Sequence, residues 1–514
     1  MATSHTSLET LLTAHPTRPT PSSSEFDMQH AFLTPDSRAA TDVELADLES
    51  PPSVLPKLLQ ISTRTSAPEG TESSDGSVTL VRRRGRFRLL HQRQYENSLL
   101  AGVGYLELAN AADFAANVWN QIPVPRFAAV LMGIGGTCAL CMVFVAAQDF
   151  RLSLRNAKLL RAERERLQHQ RAKCSSHQET AKYLQSRIGV NTRELGTEVV
   201  DRIVMDLLMG FGSMLVGVGT WMAVGGANHR VFIASNLLSG YIGNGLAALF
   251  GLINGIWSGY LIHRFQQQLQ AVRLSCPDDE IKRRLHYRLR QFQWHSTVNG
   301  INGLVAGAAS MVTAERWWGY VMLIPCIVSL IAVNFFWRKK LGYDRPLFDQ
   351  DPQVSFESHL LIEDLQLAIS MQHQLAESHK TLPSALVDVQ SLESILRFLE
   401  TQGMMENYSK WLTRDKKTKE ILSEVLSHTA DSTELTISVH TILQLSTKSS
   451  RNAIILKEHA CRFIRREGKQ IFIYRERYLL EVLSFAIWQD QKLQFAENKA
   501  EILPMNGTLI LPSS

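Results

Sequence analysis

Five stretches of this chain, 126–147, 203–225, 231–262, 297–313 and 317–337, are apolar over the length that a bilayer demands. A helix rises 1.5 Å per residue, so about 20 residues cross a hydrocarbon core roughly 30 Å thick. Inside that core every backbone polar group must be satisfied within the segment, which makes helices the spanning form for stretches this long. The chain is therefore expected to be all-α, a polytopic transmembrane helix bundle. Residues 231–262 are longer than a crossing needs and must tilt, break or project. Residues 297–313 are short and glycine-rich.

A sixth segment, 98–120, reads SLLAGVGYLELANAADFAANVWN. At 100° per residue, Glu107, Asn110, Asp113 and Asn117 fall in one sector of a wheel that is otherwise apolar. The segment either spans with that sector turned inward or lies on the membrane surface. Charge favours the first. Lys and Arg accumulate in cytosolic loops, and the stretches 82–93, 148–202, 263–296 and 338–345 are strongly basic. The stretches 121–126, 226–230 and 314–316 carry one arginine each, Arg126, Arg230 and Arg316. With six spans all the basic stretches share one side and both termini are cytosolic; five spans are the alternative.

The remaining organisation follows from composition. Residues 1–80 are rich in Ser, Thr and Pro, lack the apolar core of a signal peptide, and are read as disordered. Residues 81–96 hold the tract Arg82–Arg88 and are read as a basic juxtamembrane segment. Residues 97–345 are the bundle, with basic cytosolic arms at 148–202 and 263–296. Residues 346–500 show helical apolar spacing at 354–378, 384–401, 418–428, 432–446, 451–465 and 473–495, and are read as a cytosolic helical domain ahead of a tail, 501–514. The leucines of the arm 148–188 do not sustain a heptad.

Two features bear on function. Ser235, Ser239, Gly243, Ala247, Gly251, Gly255 and Gly259 are small and four apart, a pattern that lets membrane helices approach closely. It is read as packing inside the bundle, with homo-oligomerisation the other use of such a face. The second is the polar set Glu107, Asn110, Asp113 and Asn117, a candidate intramembrane site for a proton or solute. No catalytic, cofactor or metal residues emerge, and none of the H-E-x-x-H, Walker A, G-x-S-x-G or kinase patterns occurs. Cys138-x-x-Cys141 is read as small-residue packing. A net charge of +5 with no basic stripe interleaved with aromatics argues against a nucleic-acid binder.

Three two-span hairpins resemble the layout of mitochondrial carriers, but the only match to P-x-[DE]-x-x-[KR] is Pro277–Lys282, in an arm, where it reads as a helix start. The pattern VGYLELANAADFAANVWNQIPVPRFA, followed by NAKLLRAERERL, resembles a family of fungal multi-pass membrane proteins over roughly 97–345. That resemblance implies a membrane protein and no activity. The expected partners are the lipid bilayer and a cytosolic protein. The leading expectation is a membrane scaffold or adaptor, and the rival is a transporter or channel working through the polar set.

Overall fold

The computed structural model describes residues 77–502 except 84–85, 91, 98–102, 120–122, 175–177, 277, 348–357, 378–387, 389 and 429–433. Of residues 1–80, read as disordered, 1–76 lie outside it and Val78–Leu80 instead begin a strand; the tail beyond 502 also lies outside. Helices dominate, as the apolar pattern requires. Among the described residues four helical runs are long and apolar enough to cross a membrane: Arg126–Lys173, Gln178–Ala223, His229–Ser275 and Gly319–Leu341.

The first run is one helix, α2 (Arg126–Lys173), preceded by the short α1 (Phe114–Val118). The second joins α3 (Gln178–Thr197) to α4 (Met205–Ala223) through a π-helical turn, Glu198–Val204. The third joins α5 (His229–Ser235) to α6 (Asn244–Ser275) through a second π turn, Asn236–Gly243. Helix α7 (Asp279–Thr313) returns antiparallel to α6, and α8 (Gly319–Phe336) ends in a third π turn, Trp337–Leu341. The start of α7 agrees with its sequence: Asp278 caps it, accepting the backbone N–H groups of Glu280 and Ile281 at 2.8 and 3.2 Å.

The segment 98–120 is not the regular helix its wheel suggested. Val103–Ala111 is a 3₁₀ helix, the chain turns at Ala112–Asp113, and α1 follows. With three residues per turn, Glu107, Asn110 and Asp113 stack in one row. That row is buried, while Tyr105, Leu108 and Phe114 on the other faces are exposed. The turn fits against α2 because Gly135 lacks the Cβ that would collide with the Ala112 carbonyl. Cys138 and Cys141 are both exposed on α2, so they do not serve as the interior packing residues read from the sequence.

The small-residue row divides between two neighbours. Ser235 and Ser239 meet α4 at Gly219, and a Cβ on Gly243 would strike Val216 at 2.7 Å. Farther along, Gly251 lies against Gly303 of α7, and a Cβ on Gly255 would strike Leu304 at 2.8 Å. Ala247 is buried, whereas Gly259 is exposed, with nothing near its missing Cβ. The expectation of one packing face therefore fails at its end. Four residues turn an α-helix by about 400°, so a four-residue row drifts about 40° per step and leaves the interface. Nor is this run the most enclosed: 33% of its apolar window is buried, against 56% in Gln178–Ala223.

The chain is not purely helical. Strand β1 (Val78–Arg83) pairs antiparallel with β2 (Arg86–Leu89) and with β5 (Glu434–Ile437), in the order β2-β1-β5. The tract read as a free juxtamembrane segment is thus a hairpin anchored to the C-terminal region, with Leu80 opposite Leu89 and Leu435. Residues 432–446, read as one helix, give β5 and then α13 (Val439–Thr447). Glu434-Leu435-Thr436-Ile437 alternates exposed and buried, the period of a half-buried strand. A second ladder pairs β3 (Gln94–Tyr95) with β4 (Arg345–Pro346).

The C-terminal helices are α9 (Ser358–Glu377), α10 (Leu392–Thr401), α11 (Met405–Leu412), α12 (Lys416–His428), α13, α14 (Ser450–Phe463) and α15 (Lys469–Ile502). They are not a free-standing domain. A single buried cluster takes in Val190 of α3, Phe265 of α6, Phe292 of α7, Phe398 of α10, Phe463 of α14 and Leu480 of α15. The arms of the spans therefore share one core with the C-terminal helices.

Candidate functional site

The row Glu107, Asn110 and Asp113 opens onto two different environments. Asp113 is fully buried and saturated. It accepts from the Tyr320 hydroxyl of α8 at 2.8 Å, from Asn117 at 3.0 Å and from Asn244 of α6 at 3.3 Å. Asn244 also reaches Thr313 of α7 at 3.3 Å. Asp113 and Asn117 thus tie the 3₁₀ segment and α1 to three other helices.

Glu107 instead lines a cavity of about 80 Å³. One carboxylate oxygen accepts from Asn110 at 3.0 Å. Its polar wall residues include Thr197, Asp201 and Arg202 from the end of α3 and its π turn, Asn254 of α6, His295 and Asn299 of α7, and Asn334 of α8, and Met205, Phe250, Leu330, Val333 and Trp337 supply the apolar remainder. Thr197 Oγ1, Asp201 Oδ1 and Asn334 Oδ1 are buried without a protein hydrogen-bond partner. A cavity needs only about 10–15 Å³ per water centre and a few polar partners to be wet, so this one has room for several waters. The π turn matters here, because the wider coil carries Asp201 and Arg202 while the helix continues.

Below the cavity lies a buried ionic network that sequence reasoning missed. Arg345 sits between two carboxylates, reaching Glu163 at 2.6 and 2.7 Å and Glu194 at 2.6 and 3.0 Å. Arg193 pairs with Glu481 of α15 at 2.5 Å and donates to Tyr343 at 2.8 Å. Arg202 bridges Asp149 of α2, at 2.5 Å, and Glu198, at 3.0 Å. Burial works against the charge on Arg345, yet Glu163 and Glu194 hold its pKa well above the ordinary value. For Tyr343, burial and then Glu194 and Glu481 push the hydroxyl far up, so it remains a donor.

The signal for this network was present in α2. Asp149, Ser153, Asn156, Leu160, Glu163 and Leu167 are all fully buried, alternately four and three residues apart. That is a heptad seam, but four of its six positions are polar. A search for leucines passes over it.

Asp344, beside Arg345, gives a pH prediction. Its carboxylate accepts the Asn97 backbone N–H at 2.9 Å. Burial and then Glu96 raise its pKa from 3.8 to about 6, against the opposing pull of that hydrogen bond and of Lys410. A folded pKa above the unfolded one means that the folded state binds the proton more tightly, so this group costs stability as pH rises from about 4 to about 6. Asp344→Asn should therefore gain on the parent across that window and stay ahead at pH 7 by on the order of 1–3 kcal/mol. Thermal unfolding of both proteins across the range checks this; a constant difference would refute it.

No family model matches the chain, and no curated protein and no solved structure matches it either.

Proposed function

We propose that this is a six-span membrane protein that moves protons, alone or coupled to a small polar solute, through the centre of its bundle. The observation that carries the reading is the cavity that brings Glu107 and Asp201 together, with its unpartnered oxygens. Ionisable groups inside a membrane bundle are costly and usually serve a pathway. Glu107, inside its segment, and Asp201, at the cytosolic edge two residues before the span that begins at Ile203, can carry protons, and the surrounding amides can orient water between them. Above them, Asn110 and the Asp113 network continue the polar column along the 3₁₀ segment.

Six spans, rather than the four long apolar runs, are supported by the exposed apolar faces of the other two segments. Ile301 is 58% exposed on α7, and Tyr105 and Leu108 are exposed on the 3₁₀ segment. Such faces suit lipid. In this reading both termini are cytosolic, and the kinship with fungal multi-pass proteins belongs to the same proposal. The adaptor reading has less behind it. In the C-terminal helices the large exposed apolar side chains among the described residues are Ile454, Leu493 and Phe495, too scattered for an apolar docking face.

The test is proton flux into liposomes that hold the purified full-length chain and a trapped pH dye. Glu107→Gln and Asp201→Asn should each slow flux by about tenfold or more, with unchanged elution from a sizing column. Wild-type flux no faster than protein-free liposomes, or variants as fast as wild type, would defeat the transport reading. Impermeant labelling of a single cysteine at Gln121 checks the topology, since six spans require reaction from the non-cytosolic side alone.

A further inference from the structure

Away from the membrane segments, a cleft of about 860 Å³ opens between α3 and β4 on one side and α10, α11, α14 and α15 on the other. Its size is that of a site for a ligand larger than a single anion. Seven basic and four acidic side chains line it, and carboxylates outside the lining neutralise the innermost of the basic ones.

The inner cations are committed to the fold. Arg345 is locked between Glu163 and Glu194, and Lys410 bridges Glu96 and Glu406 at 3.0 and 3.1 Å. The rim cations are less engaged. Arg414 is exposed and forms no ion pair among the described residues. Arg466 is 75% exposed, with Glu467 at 3.6 Å, and stands over the Trp411 ring at 5.6 Å. Arg462, beyond its within-helix partner Glu458, has only a 3.9 Å approach to Asp415.

The wall between these charges is aromatic: Trp411, Tyr183, Tyr474 and Tyr478 are all half-buried and line the cleft, each already meeting a guanidinium of the chain on one side of its ring. Guanidinium groups match phosphate oxygens in pairs, and flat apolar surfaces suit a planar ring. The acids Asp364 and Asp415, also in the lining, suit hydroxyl or amino donors on the same ligand. Arg187 lies sixteen residues before Ile203, where the apolar span begins, about 24 Å along the helix. That distance favours a soluble ligand over a headgroup of the same bilayer.

We propose that this cleft binds a soluble nucleotide, its phosphates held by Arg414, Arg462 and Arg466 and its base laid on the aromatic wall. The three rim guanidiniums match the phosphates of a nucleoside di- or triphosphate. The mixed acids disfavour a ligand that is phosphate on every side.

The test is equilibrium binding to the full-length chain in detergent, with ATP, GTP, pyrophosphate, ribose 5-phosphate and inositol hexakisphosphate as probes. The chain in nanodiscs is also offered phosphoinositide vesicles. Saturable ATP or GTP binding is expected, tighter than pyrophosphate or ribose 5-phosphate by about tenfold or more, the contribution of base stacking. The double variant Arg414→Ala/Arg466→Ala removes two exposed side chains, should unfold at the parent's temperature, and should weaken nucleotide binding by about tenfold or more. No saturation with either nucleotide at about 1 mM, equal binding of pyrophosphate, preference for inositol hexakisphosphate, or binding confined to phosphoinositide vesicles would each overturn the proposal.

Discussion

Arg345→Met should destabilise the folded chain by on the order of 3–5 kcal/mol, the usual cost of removing one partner from a buried ionic cluster. The reason is what remains. Glu163 and Glu194 are both inaccessible to solvent and share this guanidinium; after its loss the nearest cation to Glu163 is Arg187, at 3.9 Å, too distant to replace the bidentate pair. Tyr343 can donate to only one acid at a time, to Glu194 or to Glu481, each at 2.9 Å. The damage should spread, because Glu163 belongs to α2, Glu194 to α3 and Glu481 to α15. Arg345→Lys should rescue little, since an ammonium cannot present the fork that serves two carboxylates. Adding Glu163→Gln and Glu194→Gln to Arg345→Met should recover part of the loss. Thermal unfolding of detergent-purified protein reads all of these. The control is Arg283→Ala, whose partner Glu280 is 54% exposed, and it should shift stability by less than about 0.5 kcal/mol. If Arg345→Met melts with the control, the network does not hold the body together.

Gly251→Ala is the second large effect. The added methyl would run into the Gly303 backbone carbonyl of α7, which no rotamer change can clear. Helices α6 and α7 would have to separate along a contact that also includes Gly307 against Ala248. Overpacking of a close helix pair costs about 1–3 kcal/mol or more, and at this site the lost close approach adds to it. Gly259→Ala, in the same helix and the same four-residue row, meets nothing within 4 Å. It should be neutral or slightly stabilising, since Ala is the better helix former by roughly 1 kcal/mol. The measurement is the yield and melting temperature of the two variants side by side. Equal behaviour would mean that the α6–α7 contact is looser than described.

Several elements were legible in the residues alone. Runs of about 20 apolar residues leave the backbone no choice but helix, and α2, α4, α6 and α8 follow. Asp278 announced the start of α7 through its side-chain oxygen, a purely local device. The inward polar row of 103–113 could be drawn from periodicity, although its 3₁₀ pitch could not.

What the tertiary structure alone decided is everything that depends on partners distant in sequence. Strand β1 pairs locally with β2, but β5, more than 350 residues later, is what joins that pair to the body; by itself Arg82–Arg88 reads only as charge. The seam Asp149–Asn156–Glu163 looks solvated until Arg202 and Arg345 arrive from elsewhere to neutralise it. The cavity at Glu107 needs Asp201, Asn254, His295, Asn299 and Asn334 from four further segments, none of which carries a motif. A side chain's hydrophobicity acts through its own segment and can be read there. A charge is stabilised or stranded by whatever the folded chain brings within about 4 Å of it, and no linear spacing records that distance.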